Sequence, residues 1–332
     1  MFTYLIIIRP LGFLYGSAGA FLSPENLVGR SGEKFPPSAA TVSGLFFSAN
    51  WGKEDIKKEL KENLYIAGPF WAKSGYEQDF YVPIPWHKII AKDNKIDEWV
   101  LNAQRNWQRK IKYQEHEDKL EPAFTWQTIT SWNNQKPTTA NHPWDYVSIL
   151  HPQMKPEERH TLPNDGLFLE NAVQMPEDSC LIYLSTHELP DGWYRFGGEN
   201  HIVEIESQTI KKQRTLEILK EPIKHGFALI TPGVWGSTRF SYRYPQNPVF
   251  QEANLKLLTD KAIPYRYITG GKLGRGHYAV PPGSVYVLDK PLNMSWWEWD
   301  KKWFPNKGGL KKFGCGLSLP VEIAGLPNLS IK

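Results

Sequence analysis

Between Tyr267 and Tyr278 the chain reads Tyr267-Ile268-Thr269-Gly270-Gly271-Lys272-Leu273-Gly274-Arg275-Gly276-His277-Tyr278, spacing two cations and an imidazole through four glycines. Glycine lets backbone amides come close to an anion, so Lys272, Arg275 and His277 are placed to meet phosphates or bases. Gly270, Gly271, Gly274 and Gly276 permit the turn. A shorter counterpart follows at Lys307-Gly308-Gly309-Leu310-Lys311-Lys312-Phe313-Gly314-Cys315-Gly316. There Lys311 and Lys312, beside Gly314 and Gly316, are expected to act likewise, and the two segments predict one anion-binding surface. A third stretch, Thr238-Arg239-Phe240-Ser241-Tyr242-Arg243-Tyr244, interleaves Arg239 and Arg243 with rings. That pattern suits single-stranded RNA, and it equally suits a strand whose cations face water.

The charge distribution points the same way. Residues 261–332 carry 11 Lys and Arg against 4 Asp and Glu, a balance of +7, whereas the preceding 260 residues carry 28 against 31. An anionic partner for the C-terminal third explains the asymmetry, as does a solvated basic face. Metal chemistry is not signalled. His142, His151 and His160 recur every nine residues with prolines between them, which no single helix can bring together as ligands. Cys180 and Cys315 stand far apart without a Cys-x-x-Cys partner, so neither a zinc site nor a disulfide is expected, and a reducing cytoplasm is the expected compartment. No cofactor is implied. The apolar run at the start, Phe2 to Ile8, is too short to span a bilayer and reads as a buried strand, and no other membrane candidate is present.

These groups need a frame. The chain has 332 residues, 41% of them hydrophobic and 14% aromatic, enough for a substantial core. Its 26 Gly and 26 Pro are spread without a period, which predicts many short strands joined by turns. After the first strand comes a loop rich in small residues, then Phe35-Pro36-Pro37-Ser38-Ala39-Ala40-Thr41-Val42-Ser43-Gly44-Leu45-Phe46. Ser38 there caps a short helix with Val42, Leu45 and Phe46 on one face. The amides at Ser38 and Ala39 could hold an anion, or the junction could simply be tightly packed. A second helix is expected over Lys53 to Leu64, with Ile56, Leu60 and Leu64 inward. Strands are expected at Tyr65 to Trp71, Phe80 to Ile84, Leu167 to Met175, Ser179 to Ser185 and Phe227 to Ile230, and a helix at Asn254 to Lys261. Between them, Asp93 to Lys119 shows a weak helical stripe and Trp126 to Asp145 reads as an irregular excursion, so the two are taken as an insertion. The tally is α+β with mostly antiparallel sheets.

Three segments carry a family resemblance. The Phe35 to Gly44 stretch resembles the proline- and serine-rich start of the first helix in the Cmr-three subunit of type III-B CRISPR effector complexes, of the RAMP superfamily and Cas5 group. Gly198-Glu199-Asn200 is similar to that family's Gly-Gly-Glu turn, and Ala279-Val280-Pro281-Pro282-Gly283-Ser284-Val285-Tyr286 is similar to its Ala-Val-Pro-Ala-Gly-Ser-Val-Tyr signature, the most specific of the three. The order and spacing agree over nearly the whole chain. One departure is Gly12-Phe13-Leu14-Tyr15-Gly16-Ser17-Ala18-Gly19, where the family has an Arg-Asp-Gly-Arg-like stretch.

The resemblance implies tandem ferredoxin-like (RRM-like) domains with antiparallel sheets, short helices and loop insertions. The expected division is 1–165, with the insertion around 93–145, and 166–332 with the glycine-rich loops. It further implies a crRNA-binding subunit that grips and caps the 5′ repeat-derived handle beside the large polymerase/cyclase-type subunit and the first backbone RAMP subunit. Gly198 and Asn200 then join the expected RNA contacts. Some relatives in the wider superfamily cut precursor crRNA without metal, and His277, Tyr278 and Lys272 could supply the proton transfers. A lone His on a glycine loop is more often a contact than a base, so no catalytic residue is assigned and the chain is expected not to be an enzyme.

Overall fold

A computed structural model describes residues 1–15, 35–93, 95–114, 119–152, 157, 160–161, 167–197, 201–237, 239–251, 255–269, 272–305 and 309–324. Eight strands carry the frame: β1 (Tyr4–Pro10), β2 (Ile66–Lys73), β3 (Ser179–Ser185), β4 (His201–Thr209), β5 (Gly226–Leu229), β6 (Leu255–Leu258), β7 (Val285–Leu288) and β8 (Ser318–Pro320). The first four pair antiparallel in the spatial order β4-β1-β3-β2. The last four repeat the pattern as β8-β5-β7-β6, again antiparallel throughout. Numbering each set from its own first strand gives 4-1-3-2 twice, the order of a ferredoxin-like sheet. The fold is therefore α+β and tandem ferredoxin-like.

Alternation along the strands explains how one sheet serves two cores. In β1, Leu5 and Ile7 face one way and Ile6 and Ile8 the other; in β3, Ile182 and Leu184 oppose Leu181 and Tyr183. The first set joins a large core shared with β5, β7 and β8 of the second unit. The second set is covered by α1 (Ala39–Ala49), whose Val42, Leu45 and Phe46 recur at helical spacing and are all buried. Both faces being buried, the strands read as continuous apolar runs, as Leu5 to Ile8 does. Helix α2 (Glu54–Asn63) contributes Leu60, but Ile56 is 42% exposed and does not complete the expected stripe. A third helix, α3 (Gln213–Lys220), packs Ile218 and Leu219 into the shared core.

Each unit departs from the ferredoxin-like plan where a helix would stand. Between β3 and β4 the chain forms a strand, Gly192–Phe196, that extends the sheet beyond β4. Between β5 and β6 there is a hairpin, Trp235–Gly236 with Ser241–Tyr242, and a single turn at Pro248–Phe250.

Several expectations need correction. The division at 165/166 falls inside the first unit, because β3 and β4 complete its sheet; the change of unit comes between Thr209 and Gly226. Asn254 to Lys261 is not a helix: Leu255–Leu258 is the edge strand β6, paired along its length with β7. Its leucines and lysine favour a helix intrinsically, and cross-strand packing against Val285 to Leu288 overrides that preference. The Asp93 to Lys119 stretch forms strands Ile96–Leu101 and Trp107–Arg109, which join Lys88–Ile90 in a three-stranded sheet. The supposed excursion adds Trp126–Thr128 and Thr139–Ala140 to the first sheet.

Candidate nucleic-acid interface

The hairpin that replaces a helix in the second unit builds an exposed patch of rings and cations. Gly236 has φ of 99°, and a Cβ there would lie 2.2 Å from the Tyr242 ring, so the tight return after Trp235 requires glycine. Ser237 Oγ then accepts hydrogen bonds from the Arg239 and Phe240 amides at 3.2 and 3.0 Å. That turn lifts both side chains clear of the surface: Phe240 is 57% exposed, with the Arg239 guanidinium 5.3 Å from its ring centroid. The Tyr278 amide donates to Ser241 Oγ at 3.1 Å, tying the hairpin to the strand His277–Ala279. Tyr278 is 63% exposed, and Tyr242, Arg243 and Arg275 are exposed with it.

Beneath the patch the signature segment acts as its foundation. Buried Tyr286 donates to the Arg243 carbonyl at 2.6 Å and accepts from Trp235 Nε1 at 3.2 Å. Gly283, with φ of 88°, leaves no room for a Cβ, which would meet the Trp86 ring and the Ile84 carbonyl. Trp86 in turn donates its amide to the Gly283 carbonyl at 2.9 Å. The signature's distinctive residues thus shape the fold and seat the Ile84 to Trp86 segment, which leads into the strand Lys88–Ile90, on the second unit.

A cleft of about 900 Å³ opens where both units and the insertion meet. Ser38 and Ala39 line it, so the start of α1 faces this space. Its rings include Trp86, Trp99 and Phe124, and its charges are Lys88 and Arg109 against Glu121 and Asp260. The balance of charge suits a flat neutral group such as a base better than a phosphate. Buried Asp97 fixes Arg109, which donates to it at 2.5 Å and lies 5.6 Å from the Trp99 ring. Burial would raise the Asp97 carboxyl, but Arg109, the Ile111 and Glu98 amides and the Tyr113 hydroxyl outweigh it and hold the group below its ordinary value. Burial lowers the Lys88 ammonium, with Glu98 pulling the other way.

The expected contacts divide sharply. Arg239, Arg243 and Arg275 lie exposed in and around the patch, as does Gly276. Lys272 pairs through its backbone with Thr269 in a short hairpin, and Gly274 donates to the Tyr267 carbonyl at 2.9 Å. Gly270, Gly271, Gly198 and Asn200 lie outside the described residues.

Five expected contacts are turned inward or engaged by the protein itself. His277 is 4% exposed because the strand turns it inward and Tyr278 outward; burial, then Arg275, lowers its pKa. Lys311 is 3% exposed, and its Nζ donates to the Trp297 and Trp299 carbonyls at 2.8 and 2.6 Å, between the Trp296 and Phe304 rings. Lys312 Nζ donates to the Lys61 carbonyl near the C-terminal end of α2. Gly314 and Gly316 are buried: a Cβ on the former would strike Ala67 and on the latter Trp235. The two glycine segments do meet, Tyr267 against Phe313 at 5.1 Å, but the second serves packing.

Sequence reasoning missed Lys88, Trp99 and Arg109. Alternation of Trp99 with Leu101 was a signal for a strand in that region, and it was masked by the charged residues around it.

No protein-family model matches the chain, and no curated protein does. The fold, however, is a known one. A chain of the type III-B Cmr-beta complex bound to cognate target RNA matches with a TM-score of 0.50 at 12% identity, over 85% of this chain and 86% of that one. The same complex with AMPPnP, in its state 1, gives 0.52 at 13% identity over the same shares. The chain shares its fold with a chain of that type III-B complex. A chain of the Csm3–Csm4 subcomplex of the type III-A interference complex covers 87% of this chain and 98% of its own, at a TM-score of 0.42 and 10% identity. The tandem ferredoxin-like architecture expected from the resemblance is the one the chain adopts. Among the described residues no helix is long and apolar enough to cross a membrane.

Proposed function

We propose that this chain is a non-catalytic crRNA-binding subunit of a type III CRISPR ribonucleoprotein in antiviral defence. It holds and caps the 5′ repeat-derived handle, and it docks the large polymerase/cyclase-type subunit and the first backbone RAMP subunit. Its expected compartment is the cytoplasm. The observation that carries this reading is the exposed run Arg239, Phe240, Tyr242, Arg243 and Tyr278 on a tandem ferredoxin-like frame. Rings take unstacked bases irrespective of sequence and the guanidinium groups follow the phosphates, which is how single-stranded RNA is gripped. The neighbouring cleft offers room for a base turned out of the strand.

The inward position of His277 speaks against precursor cleavage, since a general base must reach the 2′-hydroxyl it deprotonates. The test is incubation of the purified chain with labelled repeat RNA in the absence of divalent metal. Retention of intact, bound RNA is expected. Specific scission that disappears in His277→Ala would overturn the reading. Co-purification with the large and backbone subunits, dependent on added crRNA, checks the docking role.

A further inference from the structure

A second, smaller cavity of about 260 Å³ lies where the hairpin turn of the insertion meets the second unit. Arg105, Asn106 and Trp107 form one wall; Arg243, Tyr244 and the β6 residue Lys256 form the other. Among the described lining residues there are three cations and no carboxylate. Asp289, outside the lining, neutralises Arg105 in part, so the lining keeps an excess of positive charge at Arg243 and Lys256 that an anion would relieve. The turn that presents Arg105 is built for the purpose. Arg105 has φ of 60°, a conformation that costs a non-glycine residue free energy, and its amide donates to the Asn102 carbonyl at 2.8 Å. Asn102 Oδ1 accepts from the Gln104 and Asn106 amides at 3.0 and 2.9 Å, locking the loop. Asp289 engages Arg105 from outside the cavity, bracing the guanidinium against the second unit. Trp107 adds an indole N–H that is buried and lacks an acceptor, and an indole can only donate.

We propose that this cavity binds one phosphate group. Two guanidinium groups and an ammonium match the three acceptor oxygens of a phosphate, and the volume admits a phosphate with its sugar but not a folded strand. The phosphate comes either from the RNA backbone or from a free nucleotide. Arg243 belongs to both the patch and the cavity, so a strand leaving the patch would seat its next phosphate here. That source rests on the RNA-binding reading above; the anion site itself does not. It also gives the insertion a role, as the jaw that closes over the second unit.

The test uses the full chain and three probes: pyrophosphate, AMP and a single-stranded RNA of handle length. Calorimetry should detect pyrophosphate at low salt, weakened about tenfold in Lys256→Gln and in Arg105→Gln, the loss of roughly one charge-assisted contact. The Trp107 indole resonance, assigned with Trp107→Phe, should move on titration in the parent and stay fixed in Lys256→Gln. Thermal melting confirms that each variant is folded, and the half-exposed Lys256 gives a readout even where Arg105→Gln disturbs the turn. If RNA affinity loses about 0.7 of its log–log salt slope in Lys256→Gln, the backbone is the source. An unchanged slope with weakened pyrophosphate and AMP binding makes it a nucleotide site. A parent chain that binds neither pyrophosphate nor AMP, or variants that bind them as the parent does, overturns the proposal.

Discussion

The patch makes a quantitative claim about salt. Arg239, Arg243 and Arg275 are exposed, whereas Lys311 is buried against two carbonyls and Lys312 is engaged with the end of α2. Of these five, the first three are free to displace counterions from a strand. On single-stranded RNA each phosphate contact contributes about 0.7 to the slope of log affinity against log salt, so the triple variant R239Q/R243Q/R275Q should lose about 2 from that slope. Between 50 and 200 mM salt, a fourfold change, this amounts to about 20-fold: the parent should weaken about 20-fold more than the variant. Because all three side chains stand in solvent, folding stability should change by less than about 1 kcal/mol. Fluorescence anisotropy with a labelled handle RNA across that salt range measures the slope. Lys312→Gln is the internal control, and its slope should equal the parent's. A triple variant that keeps the parent slope, or a Lys312→Gln variant that loses as much as an arginine variant, refutes the assignment of these cations.

Three further outcomes follow from the same geometry. Phe240→Ala and Tyr278→Ala should each weaken RNA binding by about 1–3 kcal/mol while leaving the urea midpoint nearly unchanged, since both rings are exposed; equal affinity in both variants removes the stacking role. Lys311→Met should leave RNA affinity intact and cost about 2–4 kcal/mol of stability by equilibrium denaturation, because it strands the Trp297 and Trp299 carbonyls, even though burial pushes the ammonium down to about 8. Buried His87, pushed down to about 3 first by burial and then by Lys88, is a base whose folded pKa lies below its unfolded one, so its contribution is complete above about pH 6.5 and fades as pH falls towards 3; by pH 4.5 the parent should lose roughly 3 kcal/mol that His87→Leu does not, and parallel pH profiles would count against it.

What could be read in advance, and what could not, separates along a physical line. Runs of buried residues announced themselves: Leu5 to Ile8 within Phe2 to Ile8, Ser179 to Ser185 and the Val42, Leu45, Phe46 stripe all reappear as elements, because burial on both faces of a strand or one face of a helix leaves little freedom in residue type. Segments stabilised by their partners did not. Leu255 to Leu258 carries the composition of a helix and is a strand only because Val285 to Leu288 lies beside it, and Trp99 joins a strand held by the Asp97 to Arg109 pair across the hairpin.

The same distinction governs the site. Sequence spacing placed cations near glycines correctly, but a one-residue step along a strand reverses the direction of a side chain, so His277 points in where Tyr278 points out. For Lys311, the reversal comes from the aromatic cage of Trp296 and Phe304, distant enough in the chain that no local pattern could disclose it. Basic residues beside glycines therefore divide into two kinds here. Those on a turn pinned by a serine hydroxyl, as Arg239 is, remain available to a ligand, whereas those followed by glycines whose missing Cβ admits another element, as Lys311 and Lys312 precede Gly314, are consumed by packing. The second glycine segment is thus a joint between the units, and the charge left exposed to a ligand is carried by the hairpin that took the place of a helix.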